Sequence, residues 1–159
     1  MTTNMLSLKN QSILMVDRVE LKAHNESNRA LFDAAFSGTL TLLQEALGAG
    51  ADPNQPWLKD YARSPYGLDW TSVPVLAVAA SRGHVDIVEA LLDAGAEIES
   101  QCLQQEFNTV LEQVRVTEMG SALTVAAKNG HYSIMRLLLD RGAHHTPHTF
   151  DALAALESP

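Results

Sequence analysis

The chain has 159 residues, of which 46% are apolar and 19% charged, and a net charge of -8. That balance suits one globular domain with a buried core rather than a disordered chain. The acidic excess argues against a nucleic-acid ligand, whose phosphates are held by clustered Lys and Arg, and is compatible with a basic protein partner.

Residues 1–27 carry Ile13-Leu14-Met15-Val16 followed by Val19 and Leu21. This pattern fits either an apolar helix face or a short strand pair, and periodicity alone does not decide. The preferred reading is an N-terminal cap or arm that covers the first structural unit, because a lone unit cannot bury its own apolar side. There is no basic start followed by a continuous apolar region and no apolar run of membrane-spanning length, so a cytoplasmic chain without a membrane partner is expected.

A repeated stretch then sets the organisation. Ala79 to Ala96, Ala126 to Ala143 and a more worn copy from Ala34 to Ala51 each place a Gly three residues after an Ala-Ala pair and a second Gly twelve residues later. The first set is Gly38, Gly83 and Gly130, the second Gly50, Gly95 and Gly142. Such strict spacing marks a structural repeat. In each copy the small Ala pair closes a short helix that a neighbour can approach closely, and the first Gly supplies the left-handed residue that ends it. Leu40, Leu42, Leu43 and Leu47, then Val85, Ile87, Val88, Leu91 and Leu92, then Ile134, Leu137, Leu138 and Leu139 form the apolar stripe of a second helix. The second Gly is its C′ stop. Repeats are predicted over 28–54, 72–98 and 120–145, with Ser27 or Asn28 as the N-cap of the first helix.

Gly38, Gly83 and Gly130 lie 45 and 47 residues apart, against about 33 for a common helical repeat of this kind. Two insertions account for the excess, and in a solenoid such additions map to one face. The first, 55–71, holds Trp57, Tyr61, Arg63, Tyr66 and Trp70, while Pro56, Pro65 and Gly67 forbid a long helix. Its aromatic residues beside an Arg have the composition of an interface hot spot; equally, the rings can tuck back on the neighbouring repeat. The second, 99–119, places Leu103, Phe107, Val110, Leu111 and Val114 at helical spacing, which predicts an extra acidic, amphipathic helix packed on the second and third repeats. Residues 146–159 resemble the start of a fourth unit cut short, and are expected to act as a C-terminal cap.

No catalytic signature emerges. The chain lacks a Gly-x-Ser-x-Gly elbow, a phosphate loop and a His-Glu-x-x-His pair. Cys102, the only cysteine, allows no intrachain disulfide; it could be paired with His84 or His131 as nucleophile and base, but those histidines read as turn residues. His144, His145 and His148 share a Pro-containing loop without the geometry of a strong metal site, and Glu97 and Glu99 read as turn chemistry. No metal, cofactor or catalytic residue is expected.

The Gly83-His84 and Gly130-His131 steps, the leucine-rich second helices, the ending Gly50-Ala51-Asp52-Pro53-Asn54 and the looser starts at Pro74 and Ser121 resemble the ankyrin-repeat family. The family's Thr-Pro-Leu-His histidine is replaced by Phe32, Ala77 and Thr124, so its usual bonds between repeats are expected to be absent or altered. The resemblance spans about Asn28 to His145. It implies an all-α fold, an ankyrin-repeat solenoid of helix-turn-helix units with extended inter-repeat loops, and a protein-binding role for its concave face. Carried over by position, the exposed pairs are Phe36-Ser37, Ser81-Arg82 and Lys128-Asn129. With Trp57, Tyr61, Arg63, Tyr66 and Trp70 they form the expected surface for one folded partner, a basic toxin or enzyme, bound by a monomer. An inhibitor of the immunity type is the favoured role; an adaptor or secreted effector engaging a host protein is the alternative.

Overall fold

A computed structural model describes residues 26–58, 72–108, 113–144 and Thr149. Its body is an all-α repeat solenoid of three helix-turn-helix units. Helix α1 covers 26–37 and α2 Leu40–Gly48; α3 (Val75–Arg82) and α4 (Val85–Asp93) form the second unit, α5 (Ala122–Lys128) and α6 (Tyr132–Asp140) the third. Like packs on like: α3 lies against α5, and α4 against both α2 and α6.

Local chemistry explains the turns. Gly38, Gly83 and Gly130 take φ of 75°, 80° and 71°, the left-handed region that excludes most side chains. The next residue's N–H reaches back to the carbonyl of the first Ala of each pair, Thr39 to Ala34, His84 to Ala79 and His131 to Ala126. At the ends of α2, α4 and α6 the second Gly and the following Ala close Schellman motifs: Gly95 N–H donates to Leu92 and Ala96 N–H to Leu91, as Gly50 and Ala51 do to Leu47 and Ala46, and Gly142 and Ala143 to Leu139 and Leu138. The Ala pairs are sealed in the core, apart from half-buried Ala127. From the second helices, Leu43, Ile87, Val88, Leu91, Ile134, Met135 and Leu138 are buried. Val85, counted in the predicted stripe, is instead 38% exposed.

Two expectations need correction. Helix α1 already covers residue 26, so Ser27 and Asn28 stand inside the helix rather than at its N-cap position; Asn28 is buried there with another task. The helix over 99–119 is not formed: β3 (Cys102–Asn108) and β4 (Gln113–Gly120) make an antiparallel hairpin. The apolar spacing that matches a helix from Leu103 to Val114 also matches a ladder in which Phe107 pairs with Val114 and Gln105 with Val116. The Val-Arg-Val-Thr run from Val114 to Thr117, alternating and β-branched, decides for strand. The first insertion is also partly sheet: β1 (Trp57–Leu58) pairs with β2 (Ser72–Val73), and Ser72 pairs onward with Leu103. A four-stranded antiparallel sheet of order β1-β2-β3-β4 results. The capping roles expected for 1–25 and for most of 146–159 lie outside the described residues.

Candidate binding surface

The tails of the three inner helices carry the predicted exposed pairs. Arg82, from α3, sets its guanidinium 4.4 Å from the centre of the Phe36 ring of α1. A cation over an aromatic face is attracted by the ring quadrupole, by about 0.5–1 kcal/mol at an exposed site. Phe36 is therefore half-covered, its other side packed on the core. Ser37, Arg82, Lys128 and Asn129 are exposed and Ser81 half-buried. The short polar members fold onto their own turns: Ser37 Oγ lies 3.0 Å from Thr39 Oγ1, Ser81 Oγ donates to Val78 O at 2.7 Å, and Asn129 Nδ2 donates to Val125 O at 2.8 Å. Within this row Phe36 and Arg82 meet each other. Trp57 stands in β1; Tyr61, Arg63, Tyr66 and Trp70 lie outside the described residues.

The two Gly-His histidines bind across repeats rather than within their turns. His84 Nε2 lies 3.3 Å from the Phe36 carbonyl and His131 Nε2 3.1 Å from the Ser81 carbonyl. A carbonyl only accepts, so each Nε2 carries the hydrogen. The ring also covers the preceding repeat's turn: a Cβ at Gly38 would stand 2.6 Å from His84 Cε1, and one at Gly83 2.8 Å from His131 Cε1. Sequence reasoning missed the reach because donor and acceptor lie 48 and 50 residues apart.

A second ladder runs along the hairpin bases. Asp52, Glu97 and His144 each follow the second Gly by two positions, and each donates its N–H to a side-chain oxygen: Asn28 Oδ1 at 2.8 Å, Asn54 Oδ1 at 2.7 Å and Glu99 Oε1 at 2.7 Å. Asn54 Nδ2 adds a bond to Gly95 O at 3.1 Å. Asn54 and Glu99 come from the preceding repeat; Asn28, on α1, occupies the acceptor's place for the first. Glu99 thus ties the second repeat to the third, beyond the local turn role expected of it, while Glu97 accepts from Ser100 within its own turn. Arg141 clamps the outer helices, 2.8 Å from Asp93 and 3.4 Å from Glu89.

The nucleophile reading of Cys102 does not survive its surroundings. The thiol is fully buried in β3, and burial pushes it up to about 12, although Lys128 pulls the other way. At neutral pH it is a protonated, inaccessible thiol. Both candidate bases are engaged with carbonyls. His145 and His148 lie outside the described residues, and among the described residues no three metal-ligating side chains converge. A cleft of about 240 Å³ between the starts of α4 and α6 is lined by Val85, His131, Tyr132, Ser133 and Ile134, with no carboxylate, Lys, Arg or Cys among its lining residues. Among the described residues no helix is long and apolar enough to cross a membrane.

Three stacked helix pairs, with the polar ties described above linking neighbours, define a helical repeat solenoid. The family model for ankyrin repeats matches residues 31–149 in three copies, and the chain belongs to the ankyrin-repeat family. It is a protein–protein interaction module. No curated protein sequence matches the chain.

Proposed function

We propose that this array is a non-catalytic inhibitor, of the immunity type, that binds one folded basic protein as a cytoplasmic monomer. The contact of Arg82 with Phe36 carries the reading. It joins the tails of two successive repeats into one patch with an aromatic centre and a fixed charge, the composition of an interface anchor. Arg82 and Lys128 are themselves cationic, so attraction to a basic partner comes from the net charge of -8 and from the glutamates of the second insertion. The proposed partner-binding set also includes Trp57, Tyr61, Arg63, Tyr66 and Trp70 of the first insertion, together with Ser37, Ser81 and Asn129.

The test is capture from the native cell by the tagged chain and by the Phe36→Ala/Arg82→Ala variant. The inhibitor reading expects one dominant basic protein, lost by at least tenfold in the variant, whose activity is suppressed at one-to-one stoichiometry. A captured protein that stays fully active points to an adaptor or effector. Undiminished capture by the folded variant removes this patch from the interface.

A further inference from the structure

We propose that the outer edge of β4 accepts an extended, positively charged strand from a partner protein as the fifth strand of the sheet. The inference shares with the inhibitor reading the premise that the chain binds a basic protein through attraction to the glutamates of the second insertion. It does not need the Phe36–Arg82 patch.

The argument starts from the phase of the repeats. Trp57 follows Gly50 by seven positions and opens β1; Cys102 follows Gly95 by seven and opens β3. Thr149 follows Gly142 by the same seven positions, and it is helical. The array therefore lays down a strand at this place after its first and second units, while after its third the equivalent residue, Thr149, is helical. In the order β1-β2-β3-β4 the first strand of the second hairpin lies beside the second strand of the first. By that rule a third hairpin would place its first strand beside β4, the place the chain leaves open among the described residues.

Among the described residues, the edge left there has no strand paired to it along Gln113–Gly120. β4 pairs with β3 from Cys102–Gly120 out to Asn108–Gln113, and the only irregularity lies at the base, between Cys102 and Leu103. Alternate residues of a strand turn their N–H and C=O groups away from the partner, which offers a template for another chain. Natural edges are commonly blocked by Pro, Lys or a mid-strand bulge. Gln113–Gly120 contains neither Pro nor Lys, and its charged residues are Arg115 and Glu118. Of β1, at the other edge, the described residues are Trp57 and Leu58.

Charge selects the occupant. From Glu97 to Gly120 the described residues carry Glu97, Glu99, Glu106 and Glu118 against Arg115. An incoming strand with Lys or Arg is attracted and an acidic one repelled. A second copy of this chain fits poorly. Twofold pairing of β4 with itself brings residues of the same parity face to face. Arg115 would then stand opposite Thr117, a second Arg115 or Met119 in the central registers, never opposite Glu118. It would also bring two acidic hairpins together.

The probe is a dye-labelled peptide, Lys-Val-Lys-Thr-Lys-Val-Lys-Thr, with two isomers N-methylated at alternate residues on one backbone edge or the other. Strand addition predicts that the parent and one isomer bind, while the other isomer binds at least tenfold more weakly and a Glu-for-Lys version not at all. Amides of 113–120 should gain at least tenfold protection from hydrogen exchange on binding, without change in α6. Equal binding by both isomers, or none up to about 1 mM, overturns the proposal. So does full protection of the β4 amides in the free monomer, which means the chain covers its own edge. Concentration-dependent self-association that protects them assigns the edge to a second copy, and equally overturns it. The Phe36→Ala/Arg82→Ala variant should bind the peptide as the parent chain does, so loss of cellular capture and loss of the strand are read separately.

Discussion

Replacing Gly83 with Ala tests the bond between repeats most directly. The residue has φ +80°, and its added Cβ would stand 2.8 Å from His131 Cε1 and 2.9 Å from Nδ1. An L residue in this backbone region costs about 1–2 kcal/mol. To regain an ordinary carbon contact near 3.6 Å the ring must retreat by about 0.8 Å. Nε2 now sits 3.1 Å from Ser81 O. Such a retreat breaks that hydrogen bond, a further loss of about 1 kcal/mol. The expected total is about 2–3 kcal/mol. Gly95→Ala is the control, because Gly95 has φ +88° but no atom within 4 Å of an added Cβ; it should cost the backbone strain alone.

Urea unfolding followed by far-ultraviolet circular dichroism reads the difference. A double-mutant cycle sharpens it: His131→Ala alone should cost about 1 kcal/mol, yet adding it to Gly83→Ala should cost almost nothing more, a coupling of about 1 kcal/mol. The reasoning is refuted if the two changes add to within about 0.3 kcal/mol, or if Gly83→Ala and Gly95→Ala prove equally costly.

Asn54→Ala removes the bonds to Glu97 N–H and Gly95 O, and should destabilise by about 1–2 kcal/mol in the same assay. Asn28→Ala strips the acceptor from Asp52 N–H. It should cost a similar amount, with the hydrogen-exchange effect concentrated in α1 and α2. Cys102 should resist alkylation in the folded chain and react at once in urea. Its thiol rises from 9.0 to about 12 on folding, so the unfolded form ionises first. Stability should be flat below pH 9 and fall as pH climbs from 9 towards 12, a loss absent from Cys102→Ser. Arg141→Ala should cost less than about 1 kcal/mol and lose even that in high salt, as exposed ion pairs do.

The helical units were legible because their signals are local. Ala79-Ala80, Gly83 and the Ile87-Val88-Leu91 stripe specify a turn, its sense and a buried face within one stretch of chain. The exposed pairs from Phe36 to Asn129 were placed on the tails where they stand, but nothing in the sequence brings Arg82 to Phe36. The hairpin at 102–120 was misread for a related reason. Leu103, Phe107 and Val114 satisfy both periods, and which one applies depends on strand pairing remote in sequence. Asn28 shows the same limit: its type suggests a cap, and its partner, Asp52, lies 24 residues away.

The imidazole stacked on a predecessor's turn gives the array a polarity. Thr39 holds the corresponding position in the first unit and offers no ring. Gly130, by contrast, has φ +71° and, among the described residues, open space where a next imidazole would sit. Lengthening this protein is therefore a one-way operation. A grafted module that begins with Gly-His would find a seat at the distal end, whereas one added at the head would require Thr39 to be recoded first.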